Sequence, residues 1–141
     1  MIAIAATDRE IEDCYPVMAE LRPHLARERF LPLVKKLGRE TGYRLVYLKD
    51  GGKVAAAGGF RLAEWLAGGK YLEIEDLATL DGERSKGYGG RIFDYLAALA
   101  RREGCDQLRL VSHVARFGAH RFYLRKNMII EAHYFSLKFE K

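Results

Sequence analysis

Between Tyr71 and Arg91 the chain reads YLEIEDLATLDGERSKGYGGR, an apolar strand pattern running through a charged loop and a cluster of glycines into an amphipathic helix. That junction constrains the fold more than any other stretch. Gly87, Gly89 and Gly90 remove side chains where the helix begins, so main-chain N–H groups and the positive end of the helix dipole are open to an anion such as a phosphate. Arg84, Lys86 and Arg91 add positive charge at the same place. Glycines alone do not choose between an anion cradle and a helix start with no ligand. Two familiar phosphate loops are excluded. A Walker loop needs lysine where Tyr88 stands, and a dinucleotide fingerprint needs glycine where Ile92 stands.

The rest of the chain supplies strands and helices around this junction. Met1–Ala6 reads as a short first strand. Thr7 and Asp8 are N-cap candidates for a helix to about Leu21, with Glu10 completing a capping box and Pro16 kinking or shortening it. After Pro23, the residues Leu25, Phe30, Leu33, Val34 and Leu37 mark the apolar face of a second helix that ends near Gly38 and Gly42. Tyr43–Leu48 and Val54–Arg61 flank Asp50-Gly51-Gly52 as a hairpin, and Gly68-Gly69 turns into a strand from Tyr71 to Leu80. A helix from Gly87 to about Gly104, a strand at Leu108–His113, a helix at Phe117–Lys126 and an extended segment at Ile129–Phe139 complete the pattern. Strands before, between and after helices predict an α/β (α+β) domain with a mixed sheet, a single domain over residues 1–141.

Composition narrows the function classes. Hydrophobic residues make up 49% and charged residues 30%, which is globular rather than disordered. No apolar run approaches a membrane span, and the N-terminus lacks the basic leader of a secretory signal. Cys14 and Cys105 form no CxxC or Cys/His cluster, so neither a disulfide nor a zinc site is expected, and a reducing cytoplasm is the default compartment. The net charge of +5 is spread along the chain without a basic run or a nucleic-acid-binding signature. No nucleic-acid partner and no membrane are expected. His113 and His120, seven apart across a strand–helix junction, read as structural or solvent-facing rather than as metal ligands.

Arg84-Ser85-Lys86-Gly87-Tyr88-Gly89 resembles the (Arg/Gln)-x-x-Gly-x-(Gly/Ala) pyrophosphate signature of the GNAT acetyltransferase superfamily. Glu75–Leu80 is similar to the fourth strand of that fold. Ala119-His120-Arg121-Phe122-Tyr123 is similar to its tyrosine-bearing helix after the fifth strand. The order of the N-terminal elements matches too. The resemblance implies a mostly antiparallel central sheet flanked by helices, acetyl-coenzyme A as cosubstrate and no metal. It also implies transfer of the acetyl group to a primary amine by direct attack in a ternary complex. Carried over, the pyrophosphate lies on main-chain amides of Ser85, Lys86, Gly87, Tyr88, Gly89 and Gly90, with Arg84 shaping the loop. The pantetheine arm lies along Leu77, Ala78 and Thr79, and the Leu77 amide is the candidate donor to the thioester carbonyl. Tyr123 matches the general acid that protonates the leaving thiolate.

The base is less sharply marked. Glu73, Glu75 and Asp76 crowd one strand, and alternation puts Glu73 and Glu75 on one face with Asp76 on the other. Glu73 falls where the histone acetyltransferase branch keeps its glutamate base, with Glu75 next, whereas many members use water relays. The chain departs from the family pattern at Arg116, where asparagine often contacts the cofactor, and at Asn127-Met128, which replaces Gly-Phe. Asparagine tolerates the left-handed backbone of a helix end, so that turn is expected to survive. The acceptor is an amine-bearing small molecule or a protein amine. Dimerisation is common in the family, and no feature of the sequence demands a homodimer. The alternative reading is a non-catalytic acyl-CoA sensor or scaffold of the same fold.

Overall fold

A computed structural model describes residues 1–141. The chain divides into two compact units, Met1–Arg109 and Leu110–Lys141. In the first, β1 (Ile2–Ile4) is followed by the helices α1 (Asp8–Asp13), α2 (Tyr15–Leu21) and α3 (Arg27–Thr41). The strands β2 (Arg44–Asp50), β3 (Lys53–Trp65) and β4 (Gly69–Thr79) form a meander, and α4 (Tyr88–Arg102) leads to β5 (Gln107–Leu110). The sheet order is β1-β2-β3-β4-β5, antiparallel from β1 to β4. Asp106 N–H donates to the Lys70 carbonyl at 2.7 Å, and Arg109 meets Glu73 three residues further along both chains. Residue numbers rise together, so β5 runs parallel to β4, as a strand–helix–strand crossover requires.

Local chemistry explains the element ends. Thr7 caps α1 in a capping box, with Glu10 N–H donating to Thr7 Oγ1 at 3.1 Å and Thr7 N–H to Glu10 Oε1 at 3.0 Å. The helix predicted to run on to about Leu21 is broken at Cys14. Pro16 offers no N–H to the Glu12 carbonyl, so it sits in the first turn of α2 instead of mid-helix.

The sheet is covered on both faces. Cys14, Val17, Met18, Phe30 and Val34 from the first three helices pack on Tyr43, Leu45, Tyr47 and Ala57. The other face receives α4, whose buried stripe is Ile92, Phe93, Leu96, Leu99 and Ala100. Two adjacent glycines in β3 set how closely each layer approaches. A Cβ at Gly58 would lie 3.2 Å from the Ile92 side chain, and one at Gly59 would lie 1.7 Å from the Tyr43 hydroxyl. The β3–β4 register slips between Gly59 and Phe60: Gly59 faces Asp76 while Phe60 faces Ile74. Glu75 is therefore the extra residue of a β-bulge.

The second unit holds α5 (Phe117–Arg125), which ends in a Schellman turn. Met128 N–H donates to the Tyr123 carbonyl and Asn127 N–H to the Leu124 carbonyl, with Asn127 at φ 67°. Asparagine thus performs the turn expected of it. The segment predicted as extended at Ile129–Phe139 carries no regular strand. Its pattern is strand-like, but no ladder hydrogen bond is formed there, and a strand is stabilised by its neighbours rather than by its own residues.

Candidate active site

The loop between β4 and α4 is held by its side chains while its backbone donors stay open. Asp81 N–H donates to Glu20 Oε1 of α2 at 2.8 Å, and Leu80 N–H to the Ala55 carbonyl at 2.8 Å. Glu83 lies 2.6 Å from Lys86 Nζ and 3.6 Å from Lys53 Nζ. The Lys86 hydrogen bond holds the Glu83 carboxyl below its usual range, and the same contact raises Lys86, so both are charged at neutral pH. Tyr88 donates its hydroxyl to Asp50 in the β2–β3 turn. None of the backbone N–H groups from Arg84 to Gly90 donates to a protein acceptor, and α4 has no side-chain N-cap. Gly87 sits at φ 80°, and Ser85 reaches φ 70° although it is not glycine. Such a backbone costs roughly 1–2 kcal/mol in an ordinary residue, so the loop is bent against local preference. Its residues fit a pyrophosphate: an unpaired run of amides, a helix dipole and flanking cations.

Gly89 lies against the end of β4, where a Cβ would be 3.5 Å from Thr79 Oγ1. Since β5 begins beside Lys70 and rises about 3.3 Å per residue in step with β4, its four residues reach only to about Ile74. The edge of β4 from Glu75 to Thr79, which includes Leu77 and Ala78, extends beyond β5. An extended ligand arm can pair there as an added strand.

All three strand acids carry arginine partners. Glu73 Oε1 accepts from Arg109 Nε at 2.8 Å and lies 4.0 Å from Arg61, and the Arg109 guanidinium stacks over Tyr71 and Trp65. Glu75 Oε2 accepts from Arg61 Nε at 2.9 Å. Arg61 reaches both glutamates, and the bulge turns Asp76 toward the helices beside Glu75, where strict alternation would put it on the opposite face. There Asp76 accepts from Arg22 Nε at 3.0 Å and from the Tyr43 hydroxyl at 2.5 Å. Burial pushes the Tyr43 phenol well above its ordinary value, and the neighbouring Asp76 charge adds to the rise. Glu75 is the more accessible glutamate, with a side chain 35% exposed against 14% for Glu73.

Within the second unit, Tyr123 packs edge-on to Phe122. Burial raises its phenol above the ordinary value, and the charge and hydrogen bond of Arg116 oppose that rise. Arg116, where asparagine is common in the resembling family, thus acts on Tyr123. His120 Nε2 lies 2.8 Å from the His113 carbonyl, and His113 Nδ1 accepts from Ala115 N–H at 3.1 Å. The two histidines brace the turn into α5.

A profile of the Acetyltransferase (GNAT) family matches residues 4–128. The chain belongs to the GNAT acetyltransferase family. It is also 35% identical over 127 residues to a protein named "Uncharacterized N-acetyltransferase YhdJ" from Bacillus subtilis (strain 168), covering 89% of each chain. Among solved structures, a protein described as a transcriptional regulator from Bacillus halodurans C-125 superposes with a TM-score of 0.84 at 19% identity, covering 99% of this chain and 100% of that one. A GNAT family acetyltransferase from Staphylococcus aureus superposes with a TM-score of 0.81 at 15% identity, covering 99% of this chain and 98% of its own. At those identities the structures speak for the fold alone, and they agree on the GNAT architecture. No helix of this GNAT protein is long and apolar enough to cross a membrane.

Sequence reasoning missed Arg22, Tyr43 and Gly59. Arg22 and Tyr43 carried no motif. The one available signal was the pair Gly58-Gly59 inside a strand, which marks close approach of another group.

Proposed function

We propose that the whole chain, residues 1–141, works as one acetyl-CoA-dependent N-acetyltransferase domain that passes the acetyl group directly to a primary amine in a ternary complex. The observation that carries this reading is the run of unpaired amides from Arg84 to Gly90 beside the open edge of β4. The amides take the pyrophosphate, with Arg84, Lys86 and Arg91 nearby, and the pantetheine pairs along Leu77, Ala78 and Thr79. The Leu77 N–H stabilises the oxyanion as the amine nitrogen adds to the thioester carbonyl. A C–N bond forms, the C–S bond breaks, and the amine proton leaves toward Glu75 directly or through water. Glu75 is preferred to Glu73 because its side chain is 35% exposed against 14%, each carboxylate keeping one oxygen without a hydrogen-bond partner. Tyr123 returns a proton to the departing thiolate, with Arg116 easing that transfer by stabilising the phenolate. Cys14 is buried and its thiol is pushed up to about 12, chiefly by burial, which speaks against a covalent acyl-enzyme.

Two measurements test this reading together. Calorimetry should detect acetyl-CoA binding to the unmodified protein, and Tyr123→Phe should lower kcat by about a hundredfold while leaving that affinity within about twofold. An unchanged kcat removes Tyr123 from the chemistry. Binding of acetyl-CoA without turnover of any amine favours the sensor reading.

A homodimer is part of the same proposal. Phe135, Leu137 and Phe139 alternate in the sequence of the tail and are 76–90% exposed, a pattern suited to pairing with a second copy. Light scattering should give twice the chain mass, and a shortened chain ending at Asn127 should give the monomer. A full-length monomer at micromolar concentration removes the dimer.

A further inference from the structure

The helices and the bulged strand of the first unit border a half-open cavity of about 170 Å³. Its wall is carbon: Met18 of α2, Leu25 of the connection, and Phe30, Leu33 and Val34 of α3. Arg22, His24, Tyr43, Glu75 and Asp76 add polar groups to the lining. A recess of this size with a largely apolar lining has room for a small ligand group. The wall is braced. Tyr15 donates its hydroxyl to the Leu25 carbonyl at 2.6 Å, its ring meets Phe30 edge-on, and the Arg27 guanidinium lies over it. The helix connection that borders the cavity is therefore held in place.

The polar part of the lining holds a closed carboxylate and an open one. Asp76 uses Oδ1 for Arg22 and Oδ2 for Tyr43, so both of its oxygens are already engaged. Glu75 uses Oε2 for Arg61 and keeps Oε1. Because Glu75 is the bulged residue, it stands beside Asp76 at the mouth of the same cavity instead of turning strictly to the opposite face.

From this arrangement we infer that the acceptor is a primary amine carrying a compact aliphatic or thioether side chain, with the amine at Glu75 and the side chain in the Met18–Phe30–Val34 cavity. The inference rests on the acetyltransferase reading and narrows it to a substrate class. The same chemistry is offered by a free amino acid derivative and by the N-terminal residue of a peptide. A polyamine brings a second cation for which the apolar part of the lining has no partner, and a lysine side chain presents its amine on an unbranched stem with no side group to fill that part.

Initial rates with saturating acetyl-CoA test it. Leucinamide, methioninamide, alaninamide, spermidine and Nα-acetyl-lysinamide are compared as acceptors, alongside peptides beginning with leucine or alanine. Leucinamide should exceed alaninamide in kcat/KM by about thirtyfold, from the extra carbons buried in the cavity. Whichever of leucinamide and the leucine-led peptide turns over faster assigns the source. Leu33→Phe, at a half-buried position on the wall, should erase that ratio while acetyl-CoA affinity stays unchanged. Faster turnover of spermidine or Nα-acetyl-lysinamide overturns the substrate class and leaves the acetyltransferase reading standing, as does a leucinamide to alaninamide ratio near one. Failure of every amine together with no calorimetric signal for acetyl-CoA overturns both. If Leu33→Phe retains the thirtyfold ratio while binding acetyl-CoA normally, the cavity is not where the side chain goes.

Discussion

Gly87→Val is expected to weaken acetyl-CoA binding by about a hundredfold while leaving the protein folded. Gly87 is the N-cap of α4 at φ 80°, and a Cβ there would meet nothing within 4 Å, so no clash disturbs the core. The penalty is conformational. A β-branched residue resists the left-handed region, and the chain escapes by rotating the peptide units on either side. Those peptides carry the N–H groups offered to the pyrophosphate. Losing two hydrogen bonds to a charged group costs about 3–5 kcal/mol, of which solvent and partial relaxation return some, leaving about 2.8 kcal/mol or a hundredfold. Gly87→Asn separates this cause from a general effect of bulk, because asparagine enters the left-handed region readily, as Asn127 does at φ 67°. Calorimetry on the two variants should rank valine far below asparagine, with circular dichroism unchanged. Equal, wild-type-like affinities would remove the amide cradle from the binding site and the proposed activity with it.

Gly59→Ala should be the most destabilising single-methyl addition in the chain, by about 3 kcal/mol. The new Cβ would stand 1.7 Å from the Tyr43 hydroxyl and 2.3 Å from Cζ, so the ring cannot stay where it is. Tyr43 is buried, and the space beside it is the cavity it helps to line, so the ring can yield only by turning into that cavity. Displacing it breaks its 2.5 Å hydrogen bond to Asp76 and overpacks the layer beneath the helices. Loss of a hydrogen bond to a charged group is worth about 1.5–3 kcal/mol, and overpacking adds about 1–3 kcal/mol, partly overlapping with it. Urea unfolding should show the loss as a lower midpoint at an unchanged slope. The cause is isolated by a double-mutant cycle: in a Tyr43→Ala background the added methyl has no ring to meet, and its cost should fall below about 1 kcal/mol. A full cost in that background would show that Tyr43 is not what Gly59 makes room for.

The two glycines illustrate how far the chain could be read before it was folded. Gly87 belongs to a local device, a strand, loop and helix consecutive in sequence, and its role follows from spacing and from the backbone freedom of glycine. The capping box at Thr7, the hairpin at Asp50-Gly51-Gly52 and the turn at Asn127 were legible for the same reason, because the groups that satisfy one another lie within a few residues. Gly59 is different. Its partner Tyr43 sits on the neighbouring strand and Asp76 on the next, so nothing along the chain announces that the three meet.

The strand acids fall between these cases. Alternation placed Glu73 and Glu75 together, and Arg61 indeed reaches both. Which of them stays more accessible depended on Arg109 and Arg61, brought in from distant segments. The segment Ile129–Phe139 shows the opposite limit. Its alternation is that of a strand, yet without hydrogen-bonding neighbours it has no regular structure of its own.

By itself, the order of residues determined the class of fold and the strand–loop–helix junction with its glycines, because hydrophobic period, caps and glycine spacing are short-range properties of the backbone. Only the tertiary structure decided the bulge at Glu75, the closing of Asp76 by Arg22 and Tyr43, and the apolar cavity beside them. Those depend on how the sheet register and the helix layer come together, and burial and charge pairing act between groups whose separation in sequence says nothing about their separation in space.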